Sequence, residues 1–345
     1  MTSVIRAFVF VASTGMLVGG LLQTPMTSAP TATIERLDPR LDRLVPRDVK
    51  VEPIADGLDW VEGPVWRQRT GDLLFSNIPK NVVMRWHAKE GLDVFLQQSG
   101  YTGEAPFTGP EPGSNGLTLD TDGNLVLCQH GDRRITRIAA DGSKTVLAER
   151  FEGKRLNSPN DLVFAADGSL YFTDPPYGLP KTWDDPAKEL PFQGVYRRAP
   201  DGTLSLLIRD LRAPNGIGLS PDGRTLYVAN SDRTNAIWMA YELEGGRTGK
   251  GRVFASVQKF VAERQGAPDG LKVDRAGNVF ATGPGGVYVF APDGSHLGTI
   301  LFNQPTANCA WGEDGSTLFI TSNKSVYRAR LTTSGPVPGT GRRTG

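Results

Sequence analysis

Short apolar runs, each broken by a turn containing Gly or Pro, recur along most of the chain. Residues 156–178, LNSPNDLVFAADGSLYFTDPPYG, show the pattern in full. Leu162-Val163-Phe164 and Leu170-Tyr171-Phe172-Thr173 are β-rich, and Asp167-Gly168 between them is a hairpin signal in which glycine supplies positive φ. Ser158-Pro159-Asn160-Asp161 leads in, and Asp174-Pro175-Pro176-Tyr177-Gly178 leads out. The unit repeats. Glu62-Gly63-Pro64, Ser114-Asn115-Gly116, Pro214-Asn215-Gly216, Pro268-Asp269-Gly270 and Ala307-Asn308-Cys309 introduce equivalent hairpins. Aligned on their leading polar residue, the copies begin at Glu62, Asn115, Asn160, Asn215, Asp269 and Asn308, 39–55 residues apart.

A period of that length with several strands per copy predicts an all-β fold, a six-bladed β-propeller with four-stranded blades. A second strand pair follows each hairpin, as in Arg134-Ile135-Thr136-Arg137-Ile138 and Thr145-Val146-Leu147 around Asp141-Gly142. A propeller must close or leave blade edges exposed. Residues 49–54, a strand left over ahead of the first copy, are predicted to complete the last blade. The propeller should therefore span residues 49–331. Residues 33–48, charged and Pro-punctuated, read as a linker or a short helix lying on the outside, and the Thr/Gly/Pro/Arg-rich residues 332–345 as a flexible tail. Two long connections, 99–113 and 175–193, carry aromatic residues and read as lids.

Residues 1–32 have a cationic start, an apolar stretch and a small, polar end, the order of a secretory signal peptide. They predict export to the periplasm or the medium, with no stable membrane association after processing. With 38 basic and 37 acidic residues, the chain offers no electrostatic case for nucleic acid. Its two cysteines, Cys128 and Cys309, sit in hydrophobic runs without zinc-site spacing and read as buried free thiols, with a disulfide between them as the alternative in an exported protein. The chain is expected to act as a monomer or weak dimer.

The first strand of each blade runs beside the central channel, so the six leading residues should converge at one mouth. That ring holds two carboxylates, four amides and no Lys or Arg. Oxygen donors without sulfur or imidazole suit a hard cation such as Ca²⁺, Mg²⁺ or Mn²⁺. Asn/Asp-Gly is also favoured turn chemistry, which explains any one Asn alone. Asp174 and Asn230 leave their second strands toward the same face, as does His130.

At these residues the chain resembles the SMP-30/gluconolactonase family of six-bladed propellers. The matching stretches are Glu62-Gly63-Pro64-Val65-Trp66, Cys128-Gln129-His130-Gly131-Asp132-Arg133-Arg134, Ser158-Pro159-Asn160-Asp161, Tyr171-Phe172-Thr173-Asp174-Pro175-Pro176-Tyr177-Gly178, Pro214-Asn215-Gly216 and Pro268-Asp269-Gly270. The resemblance implies one divalent cation in the channel, usually calcium, with magnesium, manganese or zinc as alternatives, and hydrolysis of a sugar lactone. It places metal ligands on Glu62, Asn215 and Asp269, with Asn160 at a position touching metal or substrate. Where animal members carry an Arg two residues before that Asn, this chain has Ser158, which puts substrate recognition in doubt.

Lactone hydrolysis needs a polarised carbonyl, an activated water and a protonated leaving oxygen. Asp269 and His130 are the candidate bases; imidazole is the side chain that ordinarily titrates near neutrality. Asn115, Asp174, Tyr177 and Asn230 are the candidate substrate contacts. No Gly-x-Ser-x-Gly elbow and no phosphate-binding glycine loop compete. Two alternatives stay open: a propeller that binds a ligand or partner around a structural ion, and a related hydrolase acting on another ester.

Overall fold

The computed structural model describes residues 29–339. Six antiparallel sheets surround a central channel as the blades of a propeller, and the first strand of each lies innermost. Those inner strands are Val61–Arg67, Ser114–Leu119, Leu162–Phe164, Pro214–Leu219, Leu271–Val273 and Thr306–Gly312. Each turns back through the anticipated hairpin. In the third blade Gly168 has φ +83°, and the Asp167 carboxylate accepts the Ser169 N–H at 2.8 Å.

The ring closes as the leftover strand suggested. Val51–Ala55 pairs antiparallel with Ser325–Arg330, completing the sixth blade with a strand from the opposite end of the chain. Trp66 of the first blade stacks on Phe319 of the sixth with ring centroids 5.2 Å apart, which seals the join. Cys128 and Cys309 are both free and buried.

The glycines that follow the leading residues have a steric basis beyond turn preference. Each such glycine lies against the leading residue of the next blade. A Cβ on Gly63 would sit 2.1 Å from the Asn115 carbonyl oxygen, and one on Gly216 would sit 2.1 Å from that of Asp269. Only a residue without a side chain lets the inner strands approach so closely. Hydroxyls at the ends of the second strands then pin the neighbouring blade. Ser76 Oγ donates to Asn115 O at 2.8 Å, Thr173 Oγ1 to Asn215 O at 2.7 Å, and Thr282 Oγ1 to Ala307 O at 2.8 Å. Gly216→Ala should cost about 1–3 kcal/mol of stability by overpacking and displace Asp269 as well. Thermal melts and lactone turnover should both fall; a variant unchanged in both contradicts this account of the repeat.

Two stretches differ from expectation. Residues 33–48 are not a linker. Thr33–Arg36 adds a fifth strand to the fifth blade, paired with His296–Leu301, and Pro39–Arg43 forms a 3-10 turn that buries Leu41. The strand is short and flanked by charge, and its partner lies far along the chain, so no local pattern marks it. The segment after residue 331 is packed as far as it is described. Thr333 Oγ1 donates to Asp274 at 2.6 Å, the Arg275 N–H donates to Ser334 O at 2.8 Å, and Gly335 fits against Trp311. Pro336 to Gly339 line the end of the channel remote from the ring. Its small residues suit close packing there. The export segment lies outside the described residues except for its end, where Ala29 and Ala32 pack against the core cluster of the fifth, sixth and first blades.

Candidate active site

The six leading residues sit at one mouth of the channel. Glu62, Asn115, Asn160, Asn215 and Asn308 are buried, and Asp269 is partly exposed. The Gly63 N–H donates to Glu62 Oε2 at 2.6 Å, and Asn308 Nδ2 donates to the same oxygen at 3.1 Å. Asn215 Nδ2 donates to Ser231 Oγ at 3.0 Å. The Glu62 carboxylate repels the charge of Asp269.

Two charges beside the ring escape a reading of leading residues alone. Where four blades carry glycine after the leading residue, the third carries Asp161, whose buried carboxylate accepts from Asn308 Nδ2 at 3.4 Å. Lys272 Nζ donates to Asn308 Oδ1 at 3.2 Å and lies 3.8 Å from Asp161 Oδ2. Lys272 stands three residues beyond Asp269, within the inner strand Leu271–Val273 that follows it. Asn308 therefore orients Glu62 through a network reaching Asp161 and Lys272, rather than standing as a sixth free ring member.

Glu62, Asp161, Asp269 and Lys272 leave the ring itself two negative charges in excess when all are ionised. Burial first, then repulsion from Asp161, pushes the Glu62 pKa up; burial, Glu62 and Asp161 push that of Asp269 well above the usual carboxylate range. Asp269 Oδ1, Asn160 Oδ1 and Asn115 Oδ1 are buried without a hydrogen-bond partner. Buried polar atoms are rarely left so. Orphaned oxygens around an excess of two negative charges fit a divalent, oxygen-preferring cation. Among the described residues no three His, Cys, Asp or Glu side chains group to hold a metal, so the amides must supply part of any ligand set.

At the rim, Tyr177 reaches toward Ser231 and Asn215 and packs edge-on to Trp183 at 5.5 Å. Burial and Asp269 push its phenol up, so it stays protonated and can donate. Asp174 and Asn230 end their second strands as anticipated but are not open to a ligand. Asp174 is wholly buried and accepts the Asn157 N–H at 2.8 Å, holding the turn that precedes Asn160. Asn230 accepts from Ala213 N–H at 3.0 Å and donates to Asn235 O at 2.9 Å. Both carry the frame of the mouth, because the turns beside them fold over the strand ends. His130 is also wholly buried, with Nδ1 2.9 Å from Glu111 Oε2. Glu111 belongs to the 99–113 loop, where nothing in the sequence singled it out.

Burial pushes the Asp174 pKa up to about 7, against help from the Asn157 and Ser158 N–H groups, Arg133 and Lys188. An acid whose pKa rises on folding destabilises the fold increasingly as pH climbs from its unfolded value of 3.8 to its folded one. Asp174→Asn should therefore gain in melting temperature relative to wild type between those limits and level off above about pH 7. A difference that does not change with pH would contradict this.

The family model for the SMP-30/Gluconolactonase/LRE-like region matches residues 60–324. A gluconolactonase of Zymomonas mobilis is 40% identical over 317 residues, covering 90% of this chain and 89% of that protein. The solved structure of a gluconolactonase from Xanthomonas campestris superposes with a TM-score of 0.76 at 33% identity, covering 90% of this chain and 99% of that one. A calcium-binding protein, regucalcin, from Agrobacterium tumefaciens shares the fold with a TM-score of 0.67 at 20% identity, covering 85% and 98% of the two chains.

Proposed function

The chain belongs to the SMP-30/gluconolactonase/LRE-like family and is a lactone hydrolase, and from that premise we propose that it opens a sugar lactone at the ring mouth with the help of one divalent cation, calcium by preference. The observation that carries the reading is the set of orphaned oxygens, Asp269 Oδ1, Asn160 Oδ1 and Asn115 Oδ1, around a charge excess of two. Glu62, Asn160, Asn215 and Asp269 would hold the cation, which supplies Lewis-acid polarisation of a lactone carbonyl. The regucalcin relative, a calcium-binding protein, supports that choice of ion.

The chain's own residues supply the rest. Asp269, partly exposed at the mouth, takes the proton from the attacking water on the oxygen that does not hold the cation. Its crowding by Glu62 and Asp161 favours that proton's arrival. Asn308 and the Gly63 N–H hold Glu62 in place. Tyr177, kept protonated, donates a hydrogen bond to a substrate oxygen, and Asn115 faces the same space with a free carbonyl oxygen. Asp269 rather than His130 is the base, because the imidazole is wholly buried behind Glu111. The test is acid release from glucono-1,5-lactone at constant pH. Turnover above the spontaneous rate supports the reading; none on that lactone or on pentonolactones overturns it.

A further inference from the structure

The Ser99 to Gly113 connection holds one carboxylate over the mouth, and the fold fixes where it stands. Asn81 Oδ1 accepts the Gly100 and Tyr101 N–H groups at 2.8 and 3.1 Å. The Ser114 N–H donates to Ser99 Oγ at 3.0 Å, and Thr102 Oγ1 donates to Asp132 at 2.7 Å. The turn that carries His130 is bonded to the loop through His130 N–H to Gly113 O at 3.2 Å and Asp132 N–H to Gly100 O at 2.9 Å. At its tip the loop meets the other long connection, since a Cβ on Gly109 would lie 3.3 Å from Pro180 Cα. Glu111 is thus presented from a clamped loop.

Behind it stands His130. The imidazole has no exposed surface, its Nδ1 is 2.9 Å from Glu111 Oε2, and neither ring nitrogen makes an aligned hydrogen bond. A buried histidine kept only for packing would have partners. Glu111 itself keeps about a quarter of its side chain exposed, at 26%. The loop runs from Glu111 into Asn115 of the ring four residues later, and Gly178, next to Tyr177, lies against His130, where a Cβ on it would fall 2.5 Å from the His130 Cβ, so the carboxylate stands on the mouth side of the blades.

Resting on the lactonase reading above, we propose that Glu111 is a specificity-determining residue that accepts a hydroxyl of the substrate, with His130 as the residue that positions it. An ionised carboxylate only accepts hydrogen bonds. It has nothing to offer a lactone's carbonyl or ring oxygen, and it rewards a ligand that donates. The site should therefore favour polyhydroxylated lactones over bare ones, because a group built to bond a substrate hydroxyl is left unpaired by an analogue that lacks it.

The experiment compares glucono-1,5-lactone with δ-valerolactone, which has no hydroxyl. For Glu111→Ala the ratio of kcat/KM for the two lactones should fall about tenfold, chiefly through KM on the sugar lactone. Glu111→Gln, which keeps one accepting oxygen, should recover part of that loss. His130→Ala should show the same selective loss, and the double variant should lose no more than Glu111→Ala alone. Equal losses on both lactones, no loss on either, or additive losses in the double variant would overturn the assignment. Calorimetric binding of gluconolactam, which is not hydrolysed, separates the two claims. If wild type cleaves no lactone but binds the lactam about ten times more tightly than Glu111→Ala, the lactonase reading fails and the role of Glu111 stands. If the two bind it equally, the role of Glu111 fails whatever the activity.

Discussion

Asp269→Asn is expected to lower kcat for lactone hydrolysis by about 10²–10⁴, the usual cost of removing a general base, while leaving the fold intact. The substitution keeps the side chain's shape and one oxygen, so any cation at the mouth loses charge from its ligand set but few oxygens. It also relieves the crowding by Glu62 and Asp161 that pushes this carboxyl up. Melting temperature should accordingly hold or rise slightly. A structural role would give the opposite pattern, a drop in stability with turnover preserved in the folded fraction. A role for His130 as base would leave Asp269→Asn nearly as active as wild type, but His130 is shut behind Glu111.

Stripping divalent cations should abolish turnover, and adding calcium back should restore it. It should also lower the melting temperature. A cation present at a hundred times its dissociation constant contributes about 2.7 kcal/mol of stability, or roughly 4 °C for a domain of this size. The sign of the pH dependence follows from the carboxyls. In the stripped protein Glu62 and Asp269 have pKa values raised above their unfolded values of 4.5 and 3.8. Their contribution to stability is therefore best at low pH and is lost as pH rises through the folded values. The gap between loaded and stripped protein should widen from about pH 4 toward neutrality. A gap that narrows with rising pH would mean that the charge excess at the mouth is compensated by something else.

The fold and the ring were legible because each depends on local repetition. The Asp-Gly hairpins recur at one period, and the leading residues of the inner strands converge in any closed propeller, so Glu62, Asn115, Asn160, Asn215, Asp269 and Asn308 could be grouped without coordinates. What stayed hidden depends on register between distant stretches. Thr33–Arg36 is a strand only because His296–Leu301 leaves an edge for it. Lys272 matters because the inner strand turns it toward Asn308 and Asp161; Asp161 was readable as the acid that stands where four other blades carry glycine, but its contacts with Asn308 and Lys272 were not. Glu111 lies in a Gly/Pro-rich loop whose path is set by Asn81, Ser99 and Asp132. Asp174 and Asn230 show the converse. Their placement at strand ends was readable, but the backbone groups that occupy them, Asn157 N–H and Ala213 N–H, were not.

The most direct test of the account is hydrolysis of glucono-1,5-lactone by Asp269→Asn with the metal content of the same sample determined. The expected outcome is a folded protein that still takes up one divalent ion per chain and turns over at least about a hundredfold more slowly than wild type. An ion-loaded Asp269→Asn protein with near-normal turnover would contradict it.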